Sequence, residues 1–431
     1  MNRKFMKISS LLLTIALSST LMACGNKATT TTKTDKNQKI TLRFWHLWTA
    51  DSDSNKKNVE AVIKDWNTAN PNVQIEAEAT ENEAYKTKIK TAISANEAPD
   101  IFTTWGAGFS QAFVDAGKVL PLDDYLKDGT KQKFINGALT YLTYNNKTYG
   151  LPISTEMGIF YVNKELFAKN NIKIPTTYDE LLVAVKAFRA KGITPIAVGE
   201  KDQWPGMFYY DALALREGGS KLNNSALSKK ASFEDPAFVK AASKLSELVN
   251  AGAFNPAALG LTRDESEVPF IQGKIPMYYN GSWVSGSIDD AKSAVKGKVV
   301  AMNFPAISDG KGDKNEVLGG AITSFMVNAN TKYKTESVRA AKYLAENLSK
   351  KDYVSGAGAP AWKVKVDESK LSELTKQTAA LAKKSTGNVV WWDIYLSGAD
   401  AQVHKDLVAQ IFGKQITPAN FGKQMQVINK K

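Results

Sequence analysis

Short apolar strands alternate with amphipathic helices along almost the whole of this chain, and that alternation leaves few folds open. Ile40-Thr41-Leu42-Arg43-Phe44-Trp45 switches between apolar and polar residues with the period of two that a strand requires. Val59, Val62, Ile63 and Trp66 then recur at helical spacing, behind a run of helix-capping residues at 51–54, and Asn70-Pro71 stops that helix. Residues 73–77 read as a second strand and 85–95 as a second helix. Pro99 opens a third strand that ends near Trp105 and Gly106. The rhythm continues with strands over 159–162, 195–198 and 276–279. Helices over 178–191 and 236–251 end at Gly192 and Gly252. After Ser337 the chain turns mainly helical, with 338–348 and 402–412 the clearest segments. Repeated strand–helix units without a fixed-period repeat predict an α/β fold with mostly parallel sheets.

The N-terminal segment has a different character. Arg3, Lys4 and Lys7 precede an apolar run over 8–17, too short to span a bilayer, and the stretch ends at Leu21-Met22-Ala23-Cys24. This predicts an export signal over 1–23. Leu-x-Ala-Cys resembles the bacterial lipobox, which implies acylation of Cys24 and anchoring through lipid on the extracellular face of the cytoplasmic membrane. Residues 25–39 contain no large apolar side chain, so 24–39 reads as a lipidated cysteine and flexible tether. About 400 residues then remain, more than one core usually organises, which predicts two lobes. With Cys24 the only cysteine, no disulfide holds the fold. The formal net charge is +13, but lysines are scattered along the chain without a dense basic block interleaved with aromatics. That distribution argues against nucleic acid as a partner.

Signatures of catalysis are weak. The two histidines, His46 and His404, are too few for a histidine metal cluster and lie far apart in sequence. His46, at the end of the first strand, suits polar packing or a hydrogen bond to ligand. Asp51, Asp53 and Asn55 begin like a calcium loop, but Lys56 replaces the turn glycine and Val62 the bidentate glutamate, so a helix cap is the better reading. Gly281 and Gly286 have phosphate-loop spacing but are followed by Ser287 and Ile288, and the match fails. Neither cofactor nor metal is expected. Two carboxylates suffice for a glycosidase, so a surface glycoside hydrolase stays open.

Aromatic residues at the ends of elements are the stronger signal. Trp48, Trp105, Trp204, Trp283, Trp391 and Trp392 mostly stand beside Gly, Pro, Ser or Asp, where α/β sheets form ligand crevices. Flat rings cover the C–H face of a pyranose, and carboxylates or amides accept its hydroxyl hydrogens. Asp51, Glu81, Asn82, Glu156, Asp202 and Asp393 are the polar candidates. Trp45 and Trp66 are assigned to the core. The mature chain's arginines, Arg43, Arg189, Arg216, Arg263 and Arg339, are far apart, which disfavours an anionic ligand.

Several segments recur in one order in a known family: 40–48, Trp66-Asn-x-x-Asn-Pro71, Ala98-Pro-Asp-Ile-Phe102, Tyr149-Gly-Leu-Pro152 and Tyr161-Val-Asn-Lys-Glu-Leu-Phe167. Pro175-Thr-Thr-Tyr-Asp-Glu-Leu181, Asn280-Gly-Ser-Trp283 and Gly319-Gly-Ala-Ile322 continue the series. On these motifs the whole mature chain resembles the family 1 extracellular solute-binding proteins, carbohydrate receptors of ABC importers and relatives of maltose-binding protein. The resemblance implies a type II periplasmic-binding-protein-like fold with a sugar, preferably an oligosaccharide, held between two lobes. It implies hinge crossings near Thr155, Gly320 and Asn388, dividing 40–154 plus 322–386 from 156–318 plus 389–431. It also implies a non-enzymatic monomer that closes on its cargo and docks on an ABC permease. By position, Trp48 to Asp51 match the first-strand loop that touches ligand, and Trp105 and Gly106 the third-strand loop. Glu156 matches a hinge-proximal acid, while Trp204 and Trp283 match stacking aromatics. Trp391, Trp392 and Asp393 fall near another stacking position, with the cleft-facing tryptophan undecided. Glu81 and Asn82 lie where family sequences vary. A polyol or glycerol-phosphate compound in the same fold is the alternative cargo.

Overall fold

The computed structural model describes residues 39–51, 53–396 and 398–430. The expected leader, Cys24 and all but the last residue of the tether lie outside the described residues. The chain opens with β1 (Ile40–His46), α1 (Ser54–Ala69), β2 (Val73–Ala79), α2 (Asn82–Ala95), β3 (Ile101–Trp105) and α3 (Gly108–Asp115). A hairpin of β4 (Thr143–Tyr144) and β5 (Lys147–Thr148) precedes β6 (Gly150–Pro152) and the long β7 (Ser154–Asn163). Then come α4 (Lys164–Lys169), α5 (Tyr178–Ala190), β8 (Ile196–Ala197), α6 (Trp204–Leu227), α7 (Pro236–Asn250) and α8 (Arg263–Ile271). They are followed by β9 (Met277–Gly281), α9 (Ser285–Ile288), β10 (Val299–Met302), β11 (Glu316–Gly320) and β12 (Thr323–Val327). The last elements are α10 (Lys334–Ser355), β13 (Ala359–Pro360), α11 (Glu373–Lys383), β14 (Gly387–Val389), α12 (Trp392–Tyr395), α13 (Gly398–Phe412) and α14 (Pro418–Met425).

Local sequence explains these boundaries. In β1, Leu42 and Phe44 are fully buried while Thr41 and Arg43 face solvent. Asp53 caps α1 by accepting the Asn55 N–H at 2.9 Å, so the acidic run near 51–54 is a helix cap. Thr262 and Glu265 form a reciprocal capping box at the start of α8. No helix among the described residues is long and apolar enough to cross a membrane.

Among the described residues the strands form a five-stranded sheet, in the order β2-β1-β3-β12-β6, and a seven-stranded sheet built on β14-β11-β7-β9-β8. β10 and β13 also pair with β7. The expectation of mostly parallel sheets needs correction. β1 runs parallel to β2 and β3, β11 to β14 and β8 to β9, but β7 and β12 are antiparallel to every partner they have. The reason is topological: β7 and β12 are the strands that begin just after the chain passes from one sheet to the other. A segment entering a sheet from its neighbour runs back against strands that were laid down by local strand–helix repeats.

The two passages lie side by side. The chain leaves the first sheet between Pro152 and Ser154 and returns between Gly320 and Thr323, with Gly320 paired to Glu156. Gly319 and Gly320 have φ of 125° and 154°, and a Cβ on Gly319 would lie 2.1 Å from the Glu156 carbonyl oxygen. Only glycine allows so close a backbone approach in that conformation. Further on the chain departs from the expected division. α10 packs on α1 and β12 of the first sheet, but α11 packs on β10 of the second, with Leu374 buried there. Gln377 Oε1 accepts the Ala301 N–H at 3.0 Å. Residues 373–386, expected with the first lobe, therefore go with the second sheet. Asn388, expected at a crossing, lies inside β14, where its amide donates to Tyr141 Oη and to the Gly319 carbonyl.

Candidate functional site

A cavity of about 600 Å³ opens between the two sheets, within the range of small-ligand sites. Its floor is made by the two passages: Ile153, Ser154 and Glu156 on one, Ile322 and Thr323 on the other. Glu156 is buried, and the Ser154 hydroxyl donates to its Oε1 at 3.1 Å. Loss of solvent raises its pKa to about 7, against the opposing hydrogen bonds from Thr323 and Ser154.

The first wall comes from strand ends and helix starts of the first sheet. Trp48 follows β1 and stacks on His46 at 5.5 Å, with its edge toward Phe325. His46 is thereby a packing residue behind the wall, and burial lowers its pKa to about 4. Trp105 ends β3 and is held edge-on by Tyr85 and Phe109. Glu81, Asn82, Glu83 and Lys86 line the cavity from the first turns of α2, where Glu81 caps the helix by accepting the Glu83 and Ala84 N–H groups. Two expected residues are elsewhere. The Asp51 side chain is 95 % exposed and pairs with Lys56, because the turn before α1 points it outward. Gly106 serves packing: its N–H donates to the Ile322 carbonyl, and a Cβ would lie 2.3 Å from the Tyr141 carbonyl oxygen.

The second wall is aromatic. Trp204 begins α6, and Phe208 lies one turn later on the same face. Their ring centroids are 5.0 Å apart; Trp283 lies 6.4 Å from Trp204 and 5.5 Å from Trp391, and Phe208 stacks on Trp391 at 4.9 Å with planes 19° apart. Gly281 makes this possible, since a Cβ there would fall 2.0 Å from the Trp283 ring. Of the adjacent pair, Trp391 lines the cavity, together with Asp393, and Trp392 does not. Trp392 is fully buried among Tyr210, Phe233, Phe238 and His404, and its backbone N–H donates to Asp211 Oδ2. Asp211 Oδ1 lies 2.9 Å from His404 Nε2, which places the second histidine in the core. Trp392→Ala is expected to cost about 3–5 kcal/mol of stability as a core cavity. Denaturant unfolding would register it, and a variant as stable as the parent would contradict this placement.

Electrostatics narrow the ligand. Carboxylates lining the cavity outnumber the cations Lys86, Lys201, Arg263 and Lys405 by seven to four, in a chain of net charge +13. The Arg263 guanidinium is already engaged, by Glu267 at 3.0 Å and by Asp264 at 3.0 Å, while its backbone N–H donates to Asp202 Oδ2 at 2.7 Å. Two buried polar atoms of the lining, Trp391 Nε1 and Asn82 Oδ1, have no hydrogen-bond partner among the described residues. One is a donor and the other an acceptor, a combination suited to hydroxyl groups. No group of three or more His, Cys, Asp or Glu suited to a metal ion occurs among the described residues.

Residues 50–353 match the sequence model of the bacterial extracellular solute-binding proteins. The chain belongs to this family. Among solved structures, a protein from a study of xylan utilization by the thermophilic bacterium Caldanaerobius polysaccharolyticus is 54% identical, with a TM-score of 0.88 over 90% of this chain and 99% of that one. A chitin oligosaccharide binding protein is 27% identical, with a TM-score of 0.83 over 91% and 98%. The multiple sugar-binding protein of Streptococcus mutans is 24% identical over 87% of each chain. An uncharacterized extracellular-binding protein of Pyrococcus horikoshii is 26% identical over 66% of each. The two-lobed architecture of the solved structures is the one described above.

In this solute-binding protein several lining residues carry no mark in the sequence. Phe208 was within reach, being four residues beyond Trp204 on a helix. Lys86, Lys405, Gln203 and Gln402 look like ordinary surface residues until the lobes are brought together.

Proposed function

We propose that this protein is a receptor that binds a neutral oligosaccharide in the cleft, closes around it and delivers it to an ABC import permease. The observation that carries this reading is the continuous aromatic wall of Trp204, Phe208, Trp283 and Trp391, set opposite Trp48, Trp105 and an acidic, amide-bearing edge. Rings take the C–H faces of successive sugars, while Glu156, Glu81, Asn82 and Asp393 accept their hydroxyl hydrogens. The surplus of carboxylates speaks against glycerol phosphate and other anions. The relationship to a protein of xylan utilization makes xylan-derived oligosaccharides the first candidates. Closure follows because sugar contacts both lobes at once and so favours the closed state over the open one. Micromolar affinity needs about 8 kcal/mol, within reach of a few stacked rings and hydrogen bonds. The protein acts as a monomer held at the extracellular face of the membrane by lipid on Cys24, and it leaves its cargo chemically intact.

A thermal-shift screen of residues 25–431 against xylo-, cello-, malto- and chito-oligosaccharides tests this. At 100 times its dissociation constant a ligand adds about 2.7 kcal/mol. A raised midpoint with the xylo series, and unchanged sugar on chromatography, is the expected result. No shift with any neutral oligosaccharide would remove the carbohydrate reading, and cleaved sugar would restore the hydrolase.

A further inference from the structure

A line of alternating charges crosses the cleft where α2 of the first lobe meets α12 and α13 of the second. Lys86 Nζ lies 2.7 Å from Glu83 Oε1 on its own helix and 3.9 Å from Asp393 Oδ2 on the other lobe. Lys405 Nζ, from α13, lies 3.9 Å from the second oxygen of Glu83. Each oxygen of Glu83 thus serves a lysine from a different lobe. The Lys86 side chain is 12 % exposed and that of Asp393 9 %, and the Lys86 ammonium sits 5.4 Å from the centre of the Trp105 ring. Burial works against the Lys86 ammonium, but Glu83 and Asp393 outweigh it and raise its pKa above the usual lysine value.

These groups stand between two residues of the sugar site, Trp105 and Asp393, and belong to both lobes. We propose that Lys86 is a positioning residue for ligand binding, which orients Asp393 and Trp105 and, with Glu83 and Lys405, forms a cross-lobe charge seam that draws the two lobes together. The inference rests on the carbohydrate reading above for its ligand, but not for its mechanism. It has an unusual consequence. An uncharged sugar should bind with an affinity that depends on salt, because the charges brought together on closure belong to the protein.

Calorimetric titration of xylotetraose into the parent protein, Lys86→Met and Lys86→Arg, at about 0.01 M and about 1 M NaCl, tests this, since the screening length falls from about 30 Å to about 3 Å. The parent is expected to lose about threefold to tenfold in affinity at high salt. Lys86→Met should bind more weakly at low salt and with a flatter salt dependence, and Lys86→Arg, which keeps the charge, should recover both. A residue that merely supports α2 would change affinity without changing the salt slope. Small-angle scattering of the same ligand-free proteins reads lobe closure independently, with a larger radius of gyration expected for Lys86→Met at low salt. Equal salt slopes and equal radii for parent and Lys86→Met would overturn the proposal. A parent blind to xylotetraose whose radius still depends on Lys86 and on salt would count against the carbohydrate reading alone.

Discussion

Trp283→Ala is expected to weaken oligosaccharide binding by about 30- to 100-fold, with only a small change in thermal stability, and Trp204→Ala to weaken binding alike. Both rings belong to the aromatic wall and line the cavity. A central aromatic contact that excludes water commonly carries about 2–3 kcal/mol of binding energy. Stability responds differently because the Trp283 ring is only partly buried and faces the cleft, so its removal enlarges an existing cavity rather than opening a new one. With an unfolding entropy of about 2 cal/mol/K per residue, a chain this long shifts its midpoint by only about 1 °C per kcal/mol. Trp392 is the internal control: one residue from a wall tryptophan, fully buried, and expected to act mainly on stability. Isothermal titration and differential scanning calorimetry on the three variants separate the two effects. Parent-like affinity in both Trp283→Ala and Trp204→Ala would mean that the wall is not the ligand surface.

Much of this site was legible as tryptophans at the ends of elements, and the physical reason is general. A large ring at the end of an element stands beside the crevice that strand ends surround, and there its flat face can be left open to a ligand. Trp48, Trp105, Trp204, Trp283 and Trp391 all line the cavity. Where the pattern failed, the deciding contact came from distant sequence. Nothing local separates Trp391 from Trp392; the distant rings of Tyr210, Phe233, Phe238 and His404 do, by enclosing the Trp392 indole. Gly106 stands in the expected loop but packs against the Tyr141 carbonyl and does not line the cavity. Asp51 and Asp53 are two residues apart, yet only Asp53 turns inward as the α1 cap and lines the cavity. Strand and helix positions followed from periodicity, whereas strand direction depended on when the chain changes lobes, which periodicity does not record. α11 shows the same limit, since an amphipathic helix carries no sign of which sheet its apolar face will cover.

The acid at the hinge should trade stability for binding, and pH should reveal it. Glu156 carries its carboxyl on the cavity floor, where desolvation lifts the pKa from 4.5 to about 7. The native protein therefore holds a proton that the unfolded chain has already released between those values. Stability conferred by the protonated form is complete below pH 4.5, declines as pH rises and is lost above about 7. At about 1.4 kcal/mol per unit, the full effect is roughly 3 kcal/mol. Glu156→Gln has no proton to lose, so the ligand-free variant should melt a few degrees above the parent at about pH 8 and close to it at about pH 4. Binding should move in the opposite sense. An ionised carboxylate accepts sugar hydroxyls in hydrogen bonds about twice as strong as those to a neutral amide. The parent's affinity is then expected to rise by up to about tenfold per unit as pH approaches 7 and to level off above it. Glu156→Gln should bind at least about tenfold more weakly at about pH 8, with little of that pH dependence. Comparing the two proteins at each pH cancels the titration of the other acids around the cleft. A parent affinity that is flat between about pH 5.5 and 8, or a variant no more stable at about pH 8, would show that Glu156 does not face the ligand as a charge held ready by its burial.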